Sequence, residues 1–150
     1  MIVISACLVG IPCRYDGGHC YSSVLTHHLR QTPFLTLCPE VLGGLPIPRP
    51  PAELTGGNGF DVLAGRASLI NDQGQDVTRQ FLEGACRSLT LVRGLSPPVC
   101  YLKARSPSCG WSEPGKLNGV VGVFAALLIQ EGYRVIAAEA DCRKHNGELL

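Results

Sequence analysis

The sequence predicts an α/β fold, a single layered domain whose largely parallel, Rossmann-like sheet is flanked by helices. Three observations lead there. Short apolar runs of strand length alternate with longer stretches of helical periodicity, the order expected of a layered α/β domain. Three cysteines, Cys7, Cys38 and Cys109, lie just beyond three of those runs, as do residues that gather in the crevice outside the carboxyl ends of parallel strands. The chain has 150 residues and 45% hydrophobic content, which suits one core spanning residues 1–150 and leaves no need for a second domain.

The elements follow in order. Residues 2–5, Ile-Val-Ile-Ser, read as a first strand, followed by a loop that carries Cys7 and Cys13 as far as Gly18. A helix over residues 22–31 starts from Ser22 or Ser23 as N-cap and aligns Val24, Leu25, His28 and Leu29. Pro33 closes it, and the apolar residues 34–37 suit a buried strand. Residues 39–59 hold so many prolines and glycines that the expectation is a long irregular loop, a kind that is usually functional. A small hairpin turning at Asn71-Asp72-Gln73-Gly74 is expected over residues 60–77. Thr78 is placed to cap a helix over residues 79–93, with Phe81, Leu82, Ala85, Leu89 and Val92 at helical spacing and Gly94 as its stop. Residues 99–103 read as a buried strand. A helix over 119–130 is apolar on nearly every face and belongs deep in the fold. Residues 134–138 supply the last strand.

Composition narrows the function. A formal charge of +1 and a pI near 7.6 give no broad cationic field, which argues against long nucleic acid or an anionic membrane as the main partner and favours a small molecule. No apolar run approaches the roughly 18 residues of a membrane span. The N-terminus lacks a basic segment before its apolar stretch and reads as a strand rather than an export signal, so a cytoplasmic protein is expected. There, the eight cysteines should be thiols, and metal or redox chemistry explains them better than disulfides. Cys86 and Cys100 lie in apolar patterns and read as small buried hydrophobes. Cys20 and Cys142 receive no role.

Three thiolates from three strand-end loops can hold a metal or cluster and leave one coordination position open. The spacings match neither the paired cysteines of a zinc ribbon nor the clustered run of a bacterial ferredoxin. Cys7 and Cys13 share one glycine- and proline-containing loop, and either or both can reach the centre. In Cys38-Pro39-Glu40 a carboxylate stands beside a candidate ligand, where it can act as general acid or base; the plainer reading is a solvated or capping Glu. Arg49, between Pro48 and Pro50, sits on a stiff segment able to grip a carbonyl or phosphate, or lies on the surface. Glu53 is similarly ambiguous. Ser106-Pro107-Ser108-Cys109-Gly110 offers hydroxyls to position a water and loop N–H groups for sulfur or an anion, against the plainer reading of a serine-rich turn. Arg49 and Ser108 are the candidate substrate contacts. The glycines at 119 and 122 lack the spacing of a dinucleotide loop, and no histidine pairs with a carboxylate in a recognised pattern.

Taken together, Ser5-Ala6-Cys7-Leu8-Val9-Gly10, Cys13-Arg14-Tyr15-Asp16-Gly17, Cys38-Pro39-Glu40, Gly43-Gly44-Leu45 with Pro48-Arg49, and Lys103-Ala104-Arg105-Ser106-Pro107-Ser108-Cys109-Gly110 resemble the thiouracil desulfidase family across almost the whole chain. The resemblance implies a [4Fe-4S] cluster held by only three cysteines, with the fourth iron free to bind the sulfur of a thiolated pyrimidine. It implies a non-redox, hydrolytic desulfuration that gives uracil and hydrosulfide. Mapped by motif, the ligands are Cys7, Cys38 and Cys109, the acid/base is Glu40, and the water-positioning hydroxyl is Ser106. Cys13 also lies in a matching motif and is the alternative first ligand. The competing readings are a non-catalytic zinc- or iron-sulfur-binding module and a metal-free thiol hydrolase or reductase.

Overall fold

The structure, a computed structural model, describes residues 1–113 and 119–142. Four short strands, β1 (Ile2–Ser5), β2 (Phe34–Leu37), β5 (Cys100–Lys103) and β6 (Val135–Ala138), form one parallel sheet in the order β2-β1-β5-β6. β1 pairs along its whole length with β2, from Ile2 opposite Phe34 to Ser5 opposite Leu37, and on its other side with β5. Side chains alternate between the faces of a strand, and β1 uses both. Val3 packs with Phe81, Ala85, Leu89 and Phe124 on one face. Ile2 and Ile4 pack with Leu8 and Leu29 on the other. The first face is covered by α3 (Gly59–Leu63), α4 (Thr78–Leu95) and α5 (Val123–Gln130); the second is covered by a 3-10 turn at Ala6–Val9 and by α1 (Ser23–His28). The predicted mixed α/β layering is therefore present, with a four-stranded sheet parallel throughout.

Several elements differ from expectation. The chain coils at once into the 3-10 turn after β1, instead of entering a loop, and Gly10 ends that turn at φ 92°. α1 begins on Ser22 as expected but stops at His28; Val24 is 81% exposed while Leu29 is buried, so the buried edge is shorter than the pattern suggested. Residues 39–59 contain α2 (Pro39–Leu42) and β3 (Ala52–Thr55), both missed. Pro39 sits at the start of α2, where its missing N–H is harmless and its fixed φ suits the helix. β3 pairs antiparallel with β4 (Ser68–Asn71) in a separate two-stranded ribbon, so the partner of β4 precedes it. The expected hairpin survives only as the turn at Asn71–Gly74 and an isolated bridge between Ile70 and Asp76.

α4 is longer than its pattern. Asp76 accepts the N–H of Thr78, whose own hydroxyl accepts from Leu69 N–H instead of capping the helix. Gly94 lies inside α4, which ends at Leu95 with Ser96 in the left-handed region. α5 starts at Val123, four residues later than expected. Among the remaining cysteines, Cys100 is fully buried as predicted, but Cys86 is exposed, on the outer side of α4. Cys20 and Cys142, expected as unassigned thiols, are joined in a disulfide that ties the segment after β6 to the segment after β1. Among the described residues no helix is long and apolar enough to cross a membrane.

Candidate active site

In a parallel sheet ligands collect outside the carboxyl ends of the strands, where the chain switches direction across the sheet. Here that point lies between β1 and β5, because the chain passes from β1 to β2 on one side and returns as β5 on the other. A cavity of about 440 Å³ opens there. Cys7 reaches it from the 3-10 turn after β1, Cys38 from the residue after β2, and Cys109 from the loop after β5; Cys13 joins them. All three strand-end thiols that the sequence singles out therefore line one cavity.

Cys7, Cys13 and Cys109 are buried, and Cys38 is half-buried. The Cys38 thiol donates to the Cys13 carbonyl at 3.9 Å, and the Cys13 thiol has Cys38 and Cys7 as its sulfur neighbours. The contact with Cys38 favours the Cys13 thiolate, but the contact with Cys7 and burial outweigh that effect and push it up to about 11. The contact with Cys13, followed by burial, drives Cys38 well above the ordinary thiol range. Burial pushes Cys109 up to about 12. Such thiols stay protonated near neutrality unless a cationic centre takes the place of their protons, and metal binding does this.

Glu40 stands in the first turn of α2, two residues beyond Cys38. Its Oε1 accepts from Arg49 Nε at 3.1 Å, and its Oε2 accepts from Ser108 Oγ at 2.9 Å. Ser108 is almost fully buried. Ser106 Oγ accepts the backbone N–H groups of Ser108 and Cys109 and lies 3.1 Å from Ser108 Oγ. A hydroxyl has one proton to give. Ser108 gives its own to Glu40, so Ser106 must donate to Ser108. The result is a directed chain, Ser106 to Ser108 to Glu40, ending on a carboxylate braced by a buried guanidinium. Arg49 also donates to the carbonyls of Pro46 and Cys13, joining the Cys13 loop to Glu40. Three of its five N–H donors and the Ser108 hydroxyl, both residues read from sequence as substrate contacts, are thus engaged with Glu40 and the loop.

Glycines allow this packing. A Cβ on Gly84 of α4 would run into the Pro39 carbonyl, and one on Gly43 would run into the carbonyl of Gln80, so α2 lies directly against α4. A Cβ on Gly122 would likewise strike the Ser108 backbone. At the mouth, the Arg14 guanidinium lies 5.1 Å from the centre of the Tyr15 ring, and Arg105 adopts a left-handed φ of 62°. Glu53 lines the cavity but is exposed. Sequence reading missed Lys103, Arg14, Tyr15 and Cys142 among the lining residues. Lys103, Arg14 and Tyr15 all lie inside motifs already singled out for their cysteines, and their position there was the available signal. Cys142 carried none. Burial pushes the Lys103 ammonium down, partly offset by the nearby Cys7 sulfur.

Three comparisons agree with this geometry. The chain is 43% identical over 143 residues to the uncharacterized protein YbbK of Bacillus subtilis (strain 168), covering 91% of this chain and 95% of that one. Among solved structures it is similar to the [4Fe-4S]-dependent thiouracil desulfidase TudS, with a TM-score of 0.73, 36% identity, and coverage of 91% of this chain and 89% of that chain. Residues 2–140 match the model of the 2-thiouracil desulfurase family. With a match over nearly its whole length and the thiol-lined cavity at the switch point of its sheet, the chain belongs to the 2-thiouracil desulfurase family of enzymes.

Proposed function

We propose that the chain removes sulfur from thiouracil or a related thiolated pyrimidine by hydrolysis, giving uracil and hydrosulfide, with a [4Fe-4S] cluster held by Cys7, Cys38 and Cys109. The observation that carries this reading is the meeting, in one cavity, of three strand-end thiols with the Ser106–Ser108–Glu40 chain. The donor set fits the cluster, since soft thiolates are the usual ligands of iron-sulfur centres. When bound, the cluster supplies an open thiophilic iron, a Lewis acid toward the thiocarbonyl sulfur. Cys13, packed between Cys7 and Cys38, is the reserve for the first position.

The protein's own groups manage the water. Glu40, whose carboxylate keeps lone pairs beyond those given to Arg49 and Ser108, takes one of the water's protons as the oxygen attacks the ring carbon. Ser106, its proton and both lone pairs engaged with Ser108 and Cys109, holds the loop that aims Ser108 at Glu40. The second proton is released when the tetrahedral carbon collapses to a carbonyl, and it leaves with the sulfur as hydrosulfide while the carbon–sulfur bond breaks. Nothing is oxidised or reduced overall. Arg49 keeps Glu40 at the cavity wall, and Ser108 links the carboxylate to Ser106, so the base and the loop after β5 keep a fixed relation.

The test is anaerobic reconstitution with iron and sulfide, followed by incubation with several thiolated pyrimidines and nucleosides. Stoichiometric sulfide and uracil release that depends on iron is the expected result. A chain that binds zinc, or that turns over without iron, would overturn the reading.

A further inference from the structure

Four cations line the cavity: Arg14, Arg49, Lys103 and Arg105. Three have a carboxylate. Arg14 meets Asp16 at 3.4 Å, Arg49 meets Glu40 at 3.1 Å and Arg105 meets Glu139 at 2.7 Å. Among the described residues no carboxylate lies within ion-pair distance of Lys103. Its side chain is nonetheless buried, with the whole residue only 9% exposed. An ammonium has three donors, and among the described residues one acceptor meets them, the carbonyl of Ala104 at 2.7 Å. A buried charge left without a counter-charge is strongly unfavourable. An anion held in the cavity would supply the negative charge that the described residues do not offer Lys103.

The position of Lys103 identifies it. Lys103 is the last residue of β5, and its backbone N–H donates to Ser5 Oγ at 3.0 Å, across the switch point and two residues before Cys7. It lines the same cavity as the three strand-end thiols and is more deeply buried than Tyr15, which is 39% exposed. Three thiolates around a dipositive [4Fe-4S] core leave a net negative charge. Resting on the functional reading above, we infer that Lys103 is the built-in counter-charge of the cluster, holding its anionic form in the cavity and easing the arrival of further negative charge there. Charge near a cluster is one of the levers that set its potential, so the role has a readout apart from turnover.

The experiment uses the full chain, reconstituted anaerobically, as wild type and as Lys103→Met, Lys103→Gln and Lys103→Arg, each titrated electrochemically while the cluster is followed by its visible absorption and electron paramagnetic resonance. The neutral variants should be harder to reduce. At the wild-type midpoint their ratio of reduced to oxidised cluster should fall about tenfold, equivalent to about 59 mV for a one-electron couple, whereas Lys103→Arg should stay near wild type. A change under threefold in a loaded neutral variant overturns the inference, as does a shift in Lys103→Arg equal to that in Lys103→Met, which would mark a packing effect. If the neutral variants fail to retain iron, retention by Lys103→Arg supports the inference and loss by all three overturns it. A wild-type chain that takes up no cluster overturns both this inference and the functional reading, and it does so before any variant is compared.

Discussion

Glu40 and Ser108 are 68 positions apart in the chain and share a 2.9 Å hydrogen bond. This contact joins the segment after β2 to the loop after β5, and it links the carboxylate to Ser106 through the Ser108 hydroxyl. If Glu40 is the acid/base, Glu40→Gln should retain the cluster yet lower turnover by about 10²-fold or more, the usual range for a general acid or base. Ser106→Ala should lower it less. Steady-state kinetics on iron-replete protein checks both, and a Gln variant with near-normal turnover would remove Glu40 from the mechanism.

Arg49 offers a stability test. Its side chain is 4% exposed and that of Glu40 15%, so Arg49→Met strips the carboxylate of its ion-pair partner and leaves the Cys13 carbonyl without that donor. Breaking a fully buried pair costs about 3–5 kcal/mol, and the solvent left to Glu40 reduces this to roughly 2–3 kcal/mol. Urea unfolding of the cluster-free protein measures it. A change within about 0.5 kcal/mol, the range of ordinary surface substitutions, would mean that Arg49 does not brace the site.

Gly84→Ala probes the seat of α2. The new methyl group would meet the Pro39 carbonyl, and overpacking of this kind typically costs about 1–3 kcal/mol. Because α2 carries Glu40 and follows directly on Cys38, iron retention should fall along with stability. Gly94→Ala is the control: nothing lies near its Cβ and its backbone is helical, so a neutral or stabilising effect is expected.

Stability should also depend on pH at the alkaline end. In the folded cluster-free chain Cys13 and Cys100 titrate near 11 and Cys109 near 12, against an ordinary thiol value of 9.0. The folded state holds these protons more tightly than the unfolded chain. Their contribution is complete below about pH 9 and is lost as pH rises through 11 and 12. Lys103, shifted downward by burial, acts in the opposite sense but is one group against four, since Cys38 is raised as well. Melting temperatures of reduced apoprotein should therefore fall between pH 8 and pH 10.5, and a flat or rising profile would contradict the burial of these thiols.

The strands were legible because each is a short apolar run bounded by breakers. β1 and β2 fall where the pattern places them, and β5 and β6 within one residue of it. The cavity thiols were legible because they follow those strands. What escaped notice depends on tertiary partners. β3 is a strand only because β4, after an intervening helix, pairs with it, and α2 is a single helical turn held by its close packing on α4. The engagement of Arg49 with Glu40 could not be read from a proline-rich string, since the reach of a side chain depends on how that string bends. The Cys20–Cys142 disulfide joins residues 122 positions apart with no sequence pattern between them.

The parallel pairing of β1 with both β2 and β5 also sets an order of events in the cell. A growing chain has made Cys7, Cys13 and Cys38 long before the strand that brings Cys109 exists, so the proposed set of Cys7, Cys38 and Cys109 cannot close early. With that ligand set, iron loading would wait until synthesis has passed Cys109 and β5 has slotted in beside β1. Cofactor content would then be a record of completed folding, and a product truncated before Cys109 should leave the ribosome colourless.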